Sequence, residues 1–353
     1  MASKFQEAER ERAQQLVATR SDLFDRSETG ARFFGKPRPF VLQQPATNLY
    51  APIRVTAVKY FSSNKISWWG GRGPTGHLLS SQVACLNHLF AIRDDAVAVT
   101  ALLQGIDGDL VEALPVPGDV GALGYLQFEA VSDRQYLQED SLERGALCTT
   151  LDVLAYARHR DGGHRLIGFA WKYTEHYSEA ERFAEGPVRD RAAKKGDVRQ
   201  LRYNPLVLAS PQLGDSAAAA MAAAGAAEVP TYKEPFAQLM RQTLLLEQMV
   251  LHRSQERRSA EDFLHVHVIP SGNDELLAKR DPATGLTMPE QWRGLLRDPA
   301  KYRVMDPQEL LRPLKGIYGN AALLSYLQLR YGAASEPSLQ PASEPSVQPL
   351  AAE

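Results

Sequence analysis

Apolar residues recur along this chain with two spacings, and the change from one to the other marks where elements change. Over residues 4–25, Phe5, Ala8, Ala13, Leu16, Val17, Leu23 and Phe24 stand among many charges, the stripe of an amphipathic helix. The Gly/Pro-broken run Gly35-Lys36-Pro37-Arg38-Pro39 follows, then mixed loop and strand to about residue 66. Residues 68–74 (WWGGRGP) must be loop, because Gly and Pro break both regular structures. Behind Ser80 as a cap, Val83, Leu86, Leu89 and Phe90 have helical spacing. The middle shifts to period two. Residues 125–131 alternate as a strand, and residues 149–160 and 164–173 read as two strands joined by Asp161-Gly162-Gly163, a hairpin-turn signal. Residues 183–201 are charged and read as helix, residues 236–249 are an amphipathic helix, and residues 263–269 alternate as a strand.

Two stretches stand apart. Residues 214–229 are dominated by alanine, which favours helix but offers little to pack, so a surface insertion is expected. From Ser335 the repeats SEPSLQP and SEPSVQP have no core-forming content and predict a disordered tail. The expected organisation is an N-terminal helical and irregular extension (1–66), a main domain (67–332) carrying the alanine-rich insertion, and the tail (333–353).

Composition excludes several classes. Lys and Arg number 40 against 42 Asp and Glu, a net charge of −2, so any phosphate-binding surface must be local. The only cysteines, Cys85 and Cys148, are too few for a disulfide framework or a four-cysteine metal site. The charged N-terminus has no apolar signal core, and no apolar run reaches the roughly 18 residues of a membrane span, so a soluble cytoplasmic protein is expected. No nucleophile-elbow pattern supports a Ser/His/Asp hydrolase, and no phosphate-binding Gly-rich P-loop occurs.

The hairpin carries the candidate chemistry. Strand side chains alternate, so Ala170 and Lys172 share one face and Phe169, Trp171 and Tyr173 the other. Folding back about Gly162 sets Asp152 opposite Lys172 and Leu154 opposite Ala170, all on one face; a one-residue slip would break this.

An aspartate on one strand of a hairpin, followed by an (Asp/Glu)-x-Lys tripeptide on the next, resembles the PD-(D/E)xK nuclease superfamily. The blocks SSQVACLNHLF, RGALCTTLD, WKYTEHY and EPFAQLMRQTLLLEQM are similar, in that order, to a bacterial family of restriction endonucleases within it. The resemblance implies an α/β restriction-endonuclease-like core, a mixed sheet flanked by helices, and Mg²⁺-dependent (or Mn²⁺-dependent) cleavage of DNA in restriction or phage defence. It also implies that Asp152 ligates metal, that Lys172 positions the attacking water, and that a homodimer or a defence-system partner protein is possible. Magnesium wants hard carboxylate oxygens, and a lysine can steady developing negative charge. Here the family's Glu position is Ala170, which cannot bind metal. Natural loss and a deliberate Glu→Ala change are both open; the intact surroundings favour the second, since decay usually removes more than one member. Glu175 would fall on the opposite face if the strand continued, and Glu129 is either a further carboxylate of the site or a solvent-facing one. As written, the chain is expected to bind DNA better than it cuts it. The alternative is a non-catalytic nucleic-acid-binding or assembly subunit that kept the fold, and an RNA substrate stays open.

Other residues admit two readings each. Asp152 and Lys172 alone would read as a cross-strand salt bridge. His265 and His267 share a strand face but lack a further His or Cys partner, so partly buried structural histidines are expected. Trp68, Trp69 and Arg72 either grip nucleic acid or pack as a loop over the core. Capping explains the serines before Gln82, which is expected to face the site. Arg189, Arg191, Lys194, Lys195, Arg199 and Arg202 put six cations in 14 residues, either tracking phosphates or forming a solvated helix face.

Overall fold

A computed structural model of the chain describes residues 2–69, 71–117, 124–139, 144, 148–177, 195–224, 230–232 and 234–332. The described helices are α1 (Lys4–Thr19), α2 (Arg54–Ser63), α3 (Ser81–Leu89), α4 (Ala96–Ile106), α5 (Lys195–Ala209), α6 (Gly214–Ala224), α7 (Phe236–Leu251), α8 (Asp274–Leu277), α9 (Met288–Leu295), α10 (Pro307–Leu311) and α11 (Ala321–Tyr331). The described strands are β1 (Arg32–Phe33), β2 (Lys36–Pro37), β3 (Leu110–Leu114), β4 (Leu126–Ala130), β5 (Leu151–His159), β6 (His164–Trp171), β7 (Asp262–Val268) and β8 (Tyr302–Met305).

Strands β1 and β2 make a small hairpin, and the other six form one mixed sheet. Its centre is the β5–β6 hairpin. Strands β3 and β4 both pair antiparallel with β5, β3 along its C-terminal half and β4 along its N-terminal half. On the other side β7 and β8 add in parallel, each reached by a helical crossover as parallel pairing requires. The architecture is the expected α/β class, a mixed sheet flanked by helices.

Strand parity divides the core into two layers. Val153, Ala155, Ile167, Phe169 and Val266 join buried residues of α2, α3, α4 and α11. Leu154, Tyr156, Leu166 and Phe263 join α5, α6, α7 and α9. Residues of the N-terminal segment, Ala13, Phe24, Leu42, Ile53 and Phe61, belong to the first layer along with the sheet.

The hairpin turn sits one residue earlier than the sequence implied. The pairs Arg158↔His164, Leu154↔Gly168 and Val153↔Phe169 centre it on Asp161, not Gly162. The cause is local. The Asp161 carboxylate accepts from the Gly163 N–H (2.8 Å), and the His159 and Gly162 N–H groups bond to the Gly163 and His159 carbonyls (2.8 and 2.9 Å). Asp152 therefore lies opposite Ala170, not Lys172. The slip is two residues in register, so the face of Ala170 and Lys172 on β6 is unchanged, but on β5 the alternation is interrupted before Val153: Leu151 packs in the second layer with Leu154, and Asp152 borders Phe61, Cys85 and Phe128 of the first.

Helix α6 covers the first half of the alanine-rich run, anchored by buried Leu213 and Ala217. The second half, most of the predicted helix 183–201 and the tail from 333 lie outside the described residues. No described helix is long and apolar enough to cross a membrane.

Candidate functional site

A row of residues crosses four strands at one end of the sheet. The flanking pairs Phe128↔Val153 and Ala130↔Leu151 set Glu129 beside Asp152, the β5–β6 register sets Asp152 beside Ala170, and Ala170 pairs with His267. Lys172 follows on the face of Ala170, one residue past the end of β6.

The helices on both sides of the sheet reach into this row. Glu129 has a left-handed backbone, φ 48°. In a regular strand its side chain would share the face of Gln127; instead it meets α3, where Gln82 Nε2 donates to Glu129 Oε1 (2.8 Å). Its other oxygen accepts from Thr150 Oγ1 (2.8 Å). Ser80 caps α3 by accepting from the Val83 N–H (3.3 Å), which fixes the first turn that carries Ser81 and Gln82. On the opposite face, α7 presents Gln238, Gln242 and Leu246 at i, i+4, i+8 along one stripe. Leu246 lies over Gly168, where a Cβ would come within 2.8 Å of its Cδ1, so the leucine ends would have to shift if a side chain were added. That seating brings Gln242 Nε2 to the Thr150 carbonyl (3.0 Å) and Gln238 to the Lys172 ammonium, which donates to its Oε1.

Strand β6 ends at Trp171, so the alternation that would send Glu175 to the far face stops first. The chain doubles back, and Glu175 accepts from the Tyr173 N–H (2.6 Å) and from Ser81 Oγ. Asn273 steadies the bend by donating to the Tyr173 and Glu175 carbonyls (3.2 and 2.9 Å). The strand does not continue to Glu175, and its carboxylate meets α3, across the sheet from the Gln238 that holds Lys172. The four sequence blocks, far apart in the chain, meet here through Gln82, Thr150, Lys172 and Gln238.

The electrostatics are those of acids crowded together. Burial, and then the Glu129 charge, push the Asp152 carboxyl up to about 7, against the pull of Lys172 and the Trp171 N–H that donates to Asp152 Oδ2 (2.7 Å). Glu129 is also raised by burial, with Gln82 and Thr150 acting the other way. Burial works against the Lys172 ammonium, but the acidic groups of Tyr177, Glu175, Asp152 and Glu234 outweigh it and hold its pKa above the usual lysine value. Hard carboxylate oxygens and a fixed cation suit a divalent ion bound to a phosphate. Among the described residues no three His, Cys, Asp or Glu side chains converge closely enough to hold a metal on their own.

Ala170 is fully buried, and buried polar atoms near it lack partners. His267 Nδ1 pairs with the Tyr302 hydroxyl (2.9 Å), but its Nε2 has no hydrogen-bond partner among the described residues, and neither has Gln242 Oε1. His265 makes the matching contact to Thr243 (3.0 Å) and also leaves Nε2 unpaired among the described residues. Both histidines are deeply buried, not partly so, and burial lowers the pKa of each, keeping the rings neutral.

The flanking candidates divide. Trp68 is core, stacked on Phe61 at 3.8 Å, while Trp69 is 45% exposed and its backbone N–H donates to Gln82 Oε1 (3.0 Å). Arg72 is exposed. Lys194, with Arg189 and Arg191, lies outside the described residues; Lys195 opens α5, its side chain also outside them.

Sheet, flanking helices and this strand end together define a restriction-endonuclease-like α/β protein. The model of the family described as Restriction Endonuclease associating with ARP matches residues 11–332, and the chain belongs to that family. No curated protein and no solved structure matches it.

Proposed function

We propose that this chain has the metal site of a PD-(D/E)xK nuclease and that the activity of the site is Mg²⁺- or Mn²⁺-dependent cleavage of DNA in defence against foreign DNA. The observation that carries the reading is the convergence of four distant segments on Asp152, Glu129 and Lys172. Asp152 and Glu129 would hold the metal. When bound, the ion polarises the phosphate and makes an attacking water more acidic. Lys172, fixed by Gln238, orients that water and steadies charge developing on the phosphate. Gln82, Trp69 and Arg72 border the site on the α3 side and would contact DNA, with Lys194 and Lys195 as further phosphate contacts.

Ala170 stands where a third carboxylate belongs. The unpaired Nε2 of His267, its neighbour in the row, supports this, because a glutamate there would give that nitrogen an acceptor. The site is then one ligand short, and the chain binds DNA better than it cuts. The family's description also supports association with an ARP partner.

The absence of a three-ligand cluster among the described residues favours a second reading, a non-catalytic DNA-binding subunit. Supercoiled-plasmid cleavage separates the two. Nicking or linearisation by Ala170→Glu alone, lost again with Lys172→Ala, is the expected result. Cutting by the unaltered chain that Glu175→Gln abolishes would make Glu175 the third carboxylate. Retained DNA binding with no cutting by any variant would favour the subunit.

A further inference from the structure

The hairpin of β1 and β2 has no part in the site above. Its pairs are Arg32↔Pro37 and Phe33↔Lys36, with Phe34 and Gly35 at the tip. Phe34 is 82% exposed and has φ 47°, a left-handed backbone unfavourable for a bulky residue. A phenylalanine held out in water by strained backbone contributes nothing to the core, and such features cluster at binding sites.

The ring does not stand alone. Phe34 meets Phe33 at 4.4 Å, Phe33 meets Trp69 at 5.2 Å and His77 at 4.8 Å, and Trp69 meets His77 at 5.6 Å. The hairpin is anchored to the segment before α3 by the Leu42 N–H, which donates to the Gly76 carbonyl (2.9 Å). Trp69 is bonded through its backbone N–H to Gln82, the residue that holds Glu129. The aromatic platform is thus one side chain from the proposed metal site. Around it stand Arg32, Lys36, Arg38 and Arg72, none of which makes an ion pair among the described residues.

We propose that the β1–β2 hairpin, with Trp69, is a stacking site for unpaired bases of DNA beside the proposed cleavage centre. The inference rests on the reading of DNA as substrate. Exposed rings interleaved with unpaired cations complement a strand whose bases offer π-faces and whose phosphates carry charge. Base-paired duplex hides those faces in its own stack, so a protruding ring selects unpaired bases at an end, a bubble or an overhang.

Fluorescence anisotropy of a labelled single-stranded oligodeoxynucleotide and of its duplex, both in EDTA, tests this without cleavage. The full chain should prefer the single strand. Phe34→Ala should weaken single-strand binding by about 5- to 100-fold and leave duplex binding within about twofold, while Phe34→Tyr retains both. Lys36→Ala should weaken both DNAs and lower the salt dependence by about one phosphate contact. Phe34 lies outside the core, so circular-dichroism melting of Phe34→Ala should match the parent. Equal single-strand binding by Phe34→Ala and the parent, no DNA binding, or binding of RNA alone would each overturn the proposal. Failure of the nuclease reading shows separately, as Ala170→Glu that does not cut while the Phe34 effect persists.

Discussion

Asp152 and Glu129 lie side by side in a buried place that disfavours the charge of both, with Lys172 as a nearby cation. A fold selected for stability alone would not keep such a pair, because each carboxylate raises the cost of ionising the other. Asp152→Asn keeps an acceptor for the Trp171 N–H and removes one charge. In EDTA it should melt higher than the parent while losing divalent-ion binding, a pairing of effects that thermal melts with and without Mn²⁺ can read. A lower melting temperature would mean that the attraction of the Lys172 charge outweighs the crowding. At this scale the face of Lys172 was legible, because parity along β6 depends only on numbering, whereas Asp152 was legible as a candidate but not in its aim, since Leu151 packs beside Leu154 and breaks the alternation there. Glu129 was legible as a candidate but not in its aim, since no residue type announces a left-handed glutamate. Glu175 could not be placed from the sequence because the strand stops at Trp171 and its carboxylate is met by Ser81, 94 positions earlier in the chain.

Helix α7 is the element that holds the proposed active lysine in place, and it sits there because Gly168 has no side chain. Gly168→Ala would press on Leu246 and Leu151, whose ends can give, so a loss of about 1–3 kcal/mol is expected by urea denaturation. Leu246→Val in the same chain should recover part of it; no loss in Gly168→Ala would show that the helix is not seated by this contact. The same helix carries Glu247, buried and bonded to Ser210 Oγ (3.1 Å) and the Gln212 N–H (3.0 Å). Burial pushes its carboxyl up to about 7, against the pull of those two donors. A raised acid favours the folded state while protonated, so its contribution is full below the ordinary Glu value near 4.5 and is lost as pH rises through 7. Stability should therefore fall between those values, by at most roughly 3 kcal/mol from this group. Glu247→Gln should flatten that part of the profile, and an unchanged slope would assign it elsewhere. The helix was readable from its apolar spacing, but the Gln238–Gln242–Leu246 stripe was not recognised as a site wall, because helical spacing does not say what faces the stripe. The hairpin strands were equally readable, and only the placing of the Asp161 side chain decided their register.

Over the whole molecule, the N-terminal segment that reads as an extension is tied to the sheet. Arg12 donates to the Arg330 carbonyl (2.7 Å), to Glu9 (2.9 Å) and to the Tyr173 hydroxyl (2.8 Å), joining α1 and α11 to the residue after Lys172. Arg12→Ala takes the donor from the Arg330 carbonyl and leaves the bonded Glu9 and Tyr173 side chains without their cation, so a loss of about 1–3 kcal/mol is expected in urea denaturation. A change within about 0.5 kcal/mol would make α1 an appendage. Strands β3 and β8 and helices α2 and α4 went unrecognised in the sequence. Each is short or apolar nearly all round, and its place depends on partners distant in the chain, as β8 depends on β7. The sheet class could be read because its central hairpin announces itself locally, whereas its edges do not.

Calorimetric titration with Mn²⁺ of the parent chain, of Ala170→Glu and of Ala170→Glu combined with Asp152→Asn tests the proposed site most directly. A completed site predicts that Ala170→Glu binds Mn²⁺ at least about tenfold more tightly than the parent and that Asp152→Asn removes the gain. Binding by Ala170→Glu no tighter than by the parent, or untouched by Asp152→Asn, would contradict a metal site in this row of residues.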